Sequence, residues 1–239
     1  MAVQTGKLQT TDHMLRGKVY AYAVLATPRY VERCWDELTI PGPRLPLTGD
    51  AALFRELAAL GARLLWLHSY GERFVPPGKQ PGRLPPGTAR IEVGVPQGEA
   101  DYPEKFEYNE AAQELRVGKG VFSSVRPALW AFSVSGFQVL GSWLGYRMRK
   151  RAGKSSSPLD ALRPASWQFD DELLDLLWVL DHSVDLLPEA ALLLERVLAS
   201  ALIPASALPQ PSEAERQGPK PSGAPVNLTL EGFAPQTEE

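Results

Sequence analysis

Proline and glycine divide the chain into short segments, each of which must fold as its own element. Residues 39–50 contain three prolines and two glycines, and residues 74–90 contain five prolines and three glycines. Proline has a fixed φ and no backbone N–H, so neither stretch can continue as a regular helix or a central strand. We therefore interpret the segments between these breaks separately, and we expect residues 74–90 to be a loop or linker with little packing.

The segments before residue 74 have helical patterns. Residues 18–27 carry few charges and many helix formers, which indicates a buried helix, with a strand as the alternative. Thr27 followed by Pro28 is typical of an N-cap and the first helical position of the next helix. Residues 51–68 form the clearest predicted helix, for which Thr48 and Asp50 are both candidate caps. Its leucines recur at helical spacing: Leu53, Leu57, Leu60, Leu64 and Leu67.

The segments after residue 90 have a different character. Residues 89–95, 104–118 and 120–125 are short, partly alternating runs that predict strands, and the middle run contains a hairpin turn. Residues 169–199 return to a helical pattern, in which Pro188 either bends the helix or starts a second one. We interpret the six carboxylates of residues 170–185 as a solvated helix face with acids near its N-terminus, with a metal site as the alternative.

These patterns together predict an α+β fold. We divide it into an N-terminal helical part (1–73), a Pro/Gly-rich loop (74–90), a small, mainly antiparallel sheet with C-terminal helices (91–205) and a disordered tail (206–239).

Several kinds of site are disfavoured by composition. The single cysteine, Cys34, excludes an internal disulfide and a cysteine-based zinc site. His13, His68 and His182 are widely separated, and we interpret His68 as a partner of the helix dipole at the end of residues 51–68. No uninterrupted apolar run is long enough to span a membrane, and the N-terminus lacks the apolar core of a secretion signal. We expect a cytoplasmic protein.

One segment is strongly basic within an acidic chain. Residues 115–154 carry eight basic and no acidic side chains, whereas the whole chain has a net charge of −3. Aromatic residues are interleaved with these cations, a combination that suits phosphate contacts and base stacking. Two alternatives remain open: core aromatics beside a solvated helix end, and a membrane-surface helix, which Gly141 and Gly145 disfavour. The aromatic residues are Phe122, Trp130, Phe132, Phe137, Trp143 and Tyr146.

Three spaced motifs resemble the C-terminal specificity domain of type ISP restriction–modification enzymes. The first is Thr27-Pro28-Arg29-Tyr30, the second is Arg44-Leu45-Pro46-Leu47 followed by the leucine-rich helix, and the third lies in residues 130–147. The resemblance covers roughly residues 15–200. The matched residues of the third motif are Trp130, Phe132, Gly136, Phe137, Gln138, Val139, Leu140, Trp143, Leu144 and Arg147.

The resemblance implies a module that recognises a DNA sequence. In the full-length family it follows an adenine-N6 methyltransferase domain, itself preceded by nuclease and helicase-like ATPase domains. This chain has no [NDS]PP[YF] tetrapeptide, no methyl-donor glycine loop and no helicase motif, so we expect no catalysis by this chain alone. We expect S-adenosylmethionine only in the missing methyltransferase domain. Ser135 and Phe137 depart from the glycine and tyrosine of the family pattern.

The resemblance and the charge pattern together predict the partners and the site. The expected partners are double-stranded DNA and a separate polypeptide with methyltransferase or helicase–nuclease domains. The chain is then a separately encoded specificity subunit or a gene remnant. The alternatives are an interaction subunit that docks onto a methyltransferase without reading DNA, a decayed fragment, and a free-standing enzyme. The predicted DNA contacts are Lys119, Arg126, Arg147, Arg149, Lys150, Arg151 and Lys154, with Gln138 as a candidate base reader; most of Trp130–Leu144 is expected to be structural.

Overall fold

The computed structural model confirms the α+β fold and divides the chain into two compact units, residues 1–202 and 203–239. In the second unit, Ala205–Ala207 forms one turn of 3-10 helix. The elements named below belong to the first unit. The residues that the structure describes are 16–39, 44–71, 84–134, 136–149, 167–210 and 213. Most of the tail predicted to be disordered lies outside these residues.

The N-terminal part is helical, as predicted. Residues 16–26 are helical throughout the described part (α1), which resolves the choice between helix and strand. The leucines predicted to line one face of α4 are all buried, with exposures of 4% or less. The remaining helices of this part are α2 (Pro28–Arg33), α3 (Trp35–Leu38) and α4 (Ala51–His68).

The predicted caps behave differently. Thr48 is not the cap of α4; its hydroxyl accepts a hydrogen bond from the Asp50 N–H at 3.1 Å and lies 2.7 Å from Ser200 Oγ. Asp50 caps α4, since its Oδ1 accepts hydrogen bonds from the backbone N–H groups of Ala52 and Leu53 at 2.8 and 3.1 Å. These bonds hold the pKa of the Asp50 carboxyl below its usual value. Thr27 occupies the N-cap position of α2, but its hydroxyl makes no capping bond and is buried without a partner. The start of α2 therefore rests on the fixed φ of Pro28.

Helices α1 and α4 touch at backbone level. A Cβ at Gly61 would overlap the carbonyl oxygen of Val19 and come within 3.0 Å of the Ala23 Cβ. The absence of a side chain at Gly61 thus sets the separation of the two helices. Residues of both helices share one buried cluster with the C-terminal half of the last helix.

The sheet has four antiparallel strands in the order β1-β4-β3-β2. Leu115 and Phe122 face each other across β3 and β4, and both are completely buried. Their alternation with more exposed neighbours gives the sheet one core face. The strands are β1 (Arg90–Val93), β2 (Phe106–Asn109), β3 (Glu114–Val117) and β4 (Gly120–Ser123).

A short helix and a hairpin follow the sheet. Helix α5 (Pro127–Trp130) leads into β5 (Ser133–Val134), which pairs with β6 (Phe137–Gln138). Gly136 lies between these strands with φ +82°, a conformation that glycine adopts without strain. Helix α6 (Val139–Arg147) begins directly after β6.

Helix α7 (Phe169–Ala199) joins the two parts of the fold. Its 31 residues extend about 46 Å at 1.5 Å per residue. Leu173 and Leu177 pack with the sheet, whereas Ala190 and Leu194 pack with α1 and α4. Pro188 lies inside the helix and does not start a second one. The buried residues that follow it keep the helix continuous although proline removes one backbone hydrogen bond.

Two sequence interpretations of this region are wrong. The described end of the Pro/Gly-rich loop is packed, since Leu84 is 6% exposed and Ala89 is fully buried. The carboxylates of α7 are not simply a solvated face. Asp181 is 3% exposed and accepts a hydrogen bond from the Thr88 N–H at 2.6 Å, while Asp170 accepts one from the Val95 N–H at 2.8 Å. The backbone N–H groups of Thr88 and Val95, on either side of β1, therefore find their acceptors on α7.

Candidate nucleic-acid interface

The structure places two of the predicted DNA-contacting cations against the same segment, the residues that precede β2. Lys119 lies in the turn between β3 and β4, and Arg149 follows the end of α6. Both are anchored on the segment that precedes β2: the N–H of Gly118 donates to the Lys105 carbonyl at 3.0 Å, and the N–H of Arg149 donates to the Pro103 carbonyl at 2.9 Å. Lys105, which belongs to this segment, is exposed. We call Lys105, Lys119 and Arg149 the basic cluster.

The basic cluster contains ion pairs that a phosphate can replace. Lys119 Nζ lies 2.5 Å from Asp101 Oδ1, and Arg149 lies 3.5 Å from Glu104 Oε1. The Lys119 and Asp101 side chains are 69% and 49% exposed, and those of Arg149 and Glu104 are 37% and 49% exposed. Exposed pairs of this kind contribute at most about 1 kcal/mol. The two cations thus remain available to an anionic ligand.

Arg126 lies elsewhere and holds α7. Its guanidinium bonds Asp181 Oδ1 at 2.5 Å, Asp185 Oδ1 at 3.0 Å and the Asp181 carbonyl at 2.9 Å. The Arg126 side chain is 31% exposed and that of Asp181 only 5%. This arrangement neutralises a buried carboxylate and fastens the start of α5 to α7.

Arg147 is enclosed by tryptophans. Its guanidinium carbon lies 3.8 Å from the ring centre of Trp143 and 4.0 Å from that of Trp167. The side chain is 16% exposed, and its Nε lies 3.9 Å from Glu172 Oε2. Burial lowers the pKa of the Arg147 guanidinium, against the opposing effect of Glu172. The stack joins α6 to the residues just before α7.

Gln138 also has a structural partner. Its Nε2 donates to the Trp130 carbonyl at 2.6 Å, which ties the start of α6 to the end of α5. The remaining predicted contacts, Lys150, Arg151 and Lys154, lie outside the described residues.

Most aromatic residues of the basic segment are in the core. Phe122 is fully buried, and Trp130 stacks on Tyr108 with ring centres 4.9 Å apart. Phe137 and Tyr146 differ, with exposures of 73% and 40%. The exposure of Phe137 was not expected, because strands of only two residues have too little periodicity to reveal which side faces solvent.

His68 is part of a half-buried hydrogen-bonded contact. Its Nδ1 lies 2.6 Å from the Tyr22 hydroxyl, and its Nε2 lies 2.9 Å from Ser183 Oγ. Burial lowers the pKa of the His68 imidazole. Desolvation opposes the charged ring that a helix dipole would favour, and the contacts that the structure shows for His68 are the hydrogen bonds to Tyr22 and Ser183.

Polar residues elsewhere on the described surface also have structural roles. A groove between α4 and α7 includes His182 and Asp185, but His182 bonds the Pro85 carbonyl at 3.0 Å and Asp185 bonds Arg126. Within the described ranges, no group of three or more His, Cys, Asp or Glu side chains is placed to hold a metal ion. None of the described helices is both long and apolar enough to cross a membrane.

Parts of three larger proteins of known structure align with the chain. The chain aligns with a nuclease-deletion mutant of the type ISP restriction–modification enzyme LlaGI in complex with a DNA substrate mimic (TM-score 0.47, 16% identity) over 76% of this chain and 13% of that one. It aligns with DrdV in a DNA complex (TM-score 0.43, 21% identity) over 80% of this chain and 18% of that one. It also aligns with the ATP-dependent type ISP enzyme LlaBIII bound to DNA (TM-score 0.44, 12% identity) over 74% of this chain and 11% of that one. The chain thus spans less than a fifth of the length of each of these proteins.

The family comparison covers most of the described fold. No curated protein matches the sequence significantly. Residues 18–177 match the type ISP C-terminal specificity domain, from α1 through the sheet and into α7. The match includes the basic cluster and the β5–β6 hairpin. The chain therefore belongs to the type ISP C-terminal specificity domain family.

Proposed function

We propose that this chain is a DNA sequence-recognition module of a restriction–modification system and that it acts by binding. The observation that carries the proposal is the match of residues 18–177 to a specificity-domain family. The arrangement of the polar residues supports it, since Arg126, Arg147 and His68 are engaged inside the fold, whereas Lys119 and Arg149 form exposed ion pairs that an anion can replace. The cofactor chemistry of an adenine methyltransferase, with S-adenosylmethionine as methyl donor, belongs to a separate domain or polypeptide in this proposal.

The basic cluster contacts DNA phosphates and fixes the register of the protein on the duplex. Phosphate oxygens displace Asp101 and Glu104 from Lys119 and Arg149, at small cost because both ion pairs are exposed. Lys150, Arg151 and Lys154 follow Arg149 in the sequence and supply further cations for phosphate contact in this proposal. Neutralising about five phosphates gives a slope of roughly −4 to −5 for log affinity against log salt concentration.

Sequence is read by side chains that reach base edges. Gln138 becomes such a reader only if its amide leaves the Trp130 carbonyl, so its contribution requires a rearrangement at the start of α6. Arg126 and Arg147 contribute through the structure they hold, since their guanidinium groups are engaged by α7 and by the two tryptophans.

A second candidate function is docking onto a separate methyltransferase polypeptide without reading DNA. The observation that favours it is the exposure of large apolar side chains in the helical part, with Trp35 at 66% and Leu192 at 69%. Exposed aromatic residues are common at protein interfaces.

The proposal is tested by titrating labelled duplex DNA of random sequence with the protein over a series of salt concentrations. We expect binding at low salt, with the slope given above. The Lys119→Glu and Arg149→Glu variants should bind more weakly and with a shallower slope. The control is Arg63→Glu, because Arg63 is a comparably exposed arginine (64%) on α4. Equal losses in all three variants, or no binding by the parent protein at low salt, would contradict the proposal.

A further inference from the structure

The β5–β6 hairpin carries an apolar pair at its tip. Phe137 is 73% exposed, the highest exposure of any large apolar side chain in the part of the chain that the structure describes. Val134, which is 57% exposed, is its partner across the hairpin. Side chains of directly paired residues lie on the same face of an antiparallel ribbon. The two side chains therefore form one continuous apolar surface that meets solvent.

The base of this hairpin is held firmly. The Val139 N–H donates to the Phe132 carbonyl at 3.0 Å, and the Gln138 side chain bonds the Trp130 carbonyl at 2.6 Å. Helix α6 starts at the residue after β6, and Leu140 in its first turn is fully buried. An aromatic ring on such a base loses little conformational freedom when it meets a ligand.

We propose that the Phe137 ring inserts as a wedge against the base pairs of bound duplex DNA, with Val134 supporting it. This inference rests on the proposed DNA-binding function and assigns a contact within it. Apolar wedges such as phenylalanine unstack base steps in known modes of DNA recognition. Stacking on an aromatic ring is tolerant of sequence because every base has a π-face.

The size and the charge of the surroundings favour a duplex over a protein partner. Two side chains on a two-stranded ribbon fall far short of the roughly 800 Å² that each partner buries in a stable protein interface. The sequence from Leu115 to Arg149 contains five basic residues and no acidic residue. A DNA backbone can therefore approach the hairpin without meeting a carboxylate of residues 115–149.

Helix α6 connects the hairpin to the basic cluster. Its nine residues span about 14 Å at 1.5 Å per residue. Phe137 lies just before its first turn and Arg149 just after its last. The apolar tip and a cation of the basic cluster are thus carried at the two ends of one short helix.

The experiment compares the Phe137→Ala and Phe137→Tyr variants of the full chain with the parent protein. Duplexes of random sequence that contain 2-aminopurine report unstacking by a rise in fluorescence, and a titration over a salt series gives the affinity and its salt slope. We expect Phe137→Ala to weaken binding about tenfold or more and to lose the fluorescence rise. Its salt slope should stay unchanged, since a neutral side chain releases no counterions. Phe137→Tyr should retain both the affinity and the fluorescence rise.

The control is Trp35→Ala, which removes an aromatic ring of similar exposure (66%) from the helical part. It should leave the affinity and the fluorescence unchanged. Unchanged affinity and fluorescence in Phe137→Ala, with normal binding by the parent protein, overturn the wedge and leave the proposed function standing. Absence of duplex binding by the parent protein refutes the proposed function itself, and the wedge with it. The thermal midpoint of Phe137→Ala should match that of the parent because the ring is exposed, so a folding defect would not account for a loss.

Discussion

Replacing Arg126 by alanine should destabilise the fold, although its charge alone suggested a DNA contact. Arg126 forms an ion pair with the buried carboxylate of Asp181 and also bonds Asp185. Without the guanidinium, the Asp181 carboxylate would still accept a hydrogen bond from the Thr88 N–H. Among the described residues, this is the remaining donor to Asp181 from outside α7. An uncompensated carboxylate would then remain at a position that is 3% exposed.

The magnitude follows from the burial of the two partners. Removing one partner of a fully buried pair costs about 3–5 kcal/mol. Because the Arg126 side chain is 31% exposed, water can reach part of the vacated space, and we expect a smaller loss. We expect about 2–3 kcal/mol, or a decrease of roughly 5–10 °C in thermal midpoint for a domain of this size.

Urea unfolding followed by circular dichroism and a thermal scan measure the loss. The matched control is Lys119→Ala, because the ion pair of Lys119 with Asp101 is exposed on both sides. Its effect on the free energy of unfolding should stay within about 0.5 kcal/mol. The reasoning is refuted if Arg126→Ala is as stable as the parent protein, or if Lys119→Ala is destabilised by the same amount.

Three further substitutions test other parts of the structure. Gly61→Ala should reduce the free energy of unfolding by about 1–3 kcal/mol or more in urea titrations, because the new methyl group overlaps the Val19 carbonyl; an unchanged midpoint would contradict the close contact of α1 and α4. Burial lowers the pKa of His68 from 6.5, so the unfolded state binds a proton first as the pH falls, and unfolding free energy should decrease below about pH 6.5. This part of the pH dependence should disappear in His68→Gln, and its persistence would exclude His68 as the source. Arg147→Ala should remove the guanidinium that lies between the Trp143 and Trp167 rings, which should change the near-ultraviolet circular dichroism spectrum. The free energy of unfolding should fall by about 1–3 kcal/mol. An unaltered spectrum would contradict the stack.

Local patterns were enough to predict much of the fold. The leucine spacing of residues 51–68 defined α4, and its N-cap at Asp50 is confirmed. The hairpin of β2 and β3 followed from two alternating runs around a polar turn, and its register is antiparallel as expected. These features depend on neighbours in the sequence, where periodicity and capping act directly.

Long-range partners explain what the sequence did not reveal. Asp181 resembles any other acid of an amphipathic helix until Arg126 and Thr88 are placed beside it. The packing of Ala89 depends on α7, which lies some 90 residues later, through the bond from Trp178 Nε1 to the Ala89 carbonyl. Likewise, a run of cations does not show which members carry carboxylate partners.

The candidate site was therefore predicted only in part. The sequence located the segment, but it treated buried and exposed cations alike. Arg147 between its tryptophans and Arg149 two residues later have the same charge and different surroundings. Lys105 was missed because it belongs to another segment, and only the bond between Gly118 and Lys105 brings it to the basic cluster.

The central claim is that the chain reads a DNA sequence, and the most direct measurement is selection from a pool of randomised duplexes. The protein, alone and together with a cognate methyltransferase, is incubated with the pool at moderate salt, and retained duplexes are amplified and sequenced over several rounds. The account predicts enrichment of one short consensus, which the Lys119→Glu, Arg149→Glu double variant fails to retain. Retention of no duplex, or of duplexes without any common sequence under both conditions, would contradict the account.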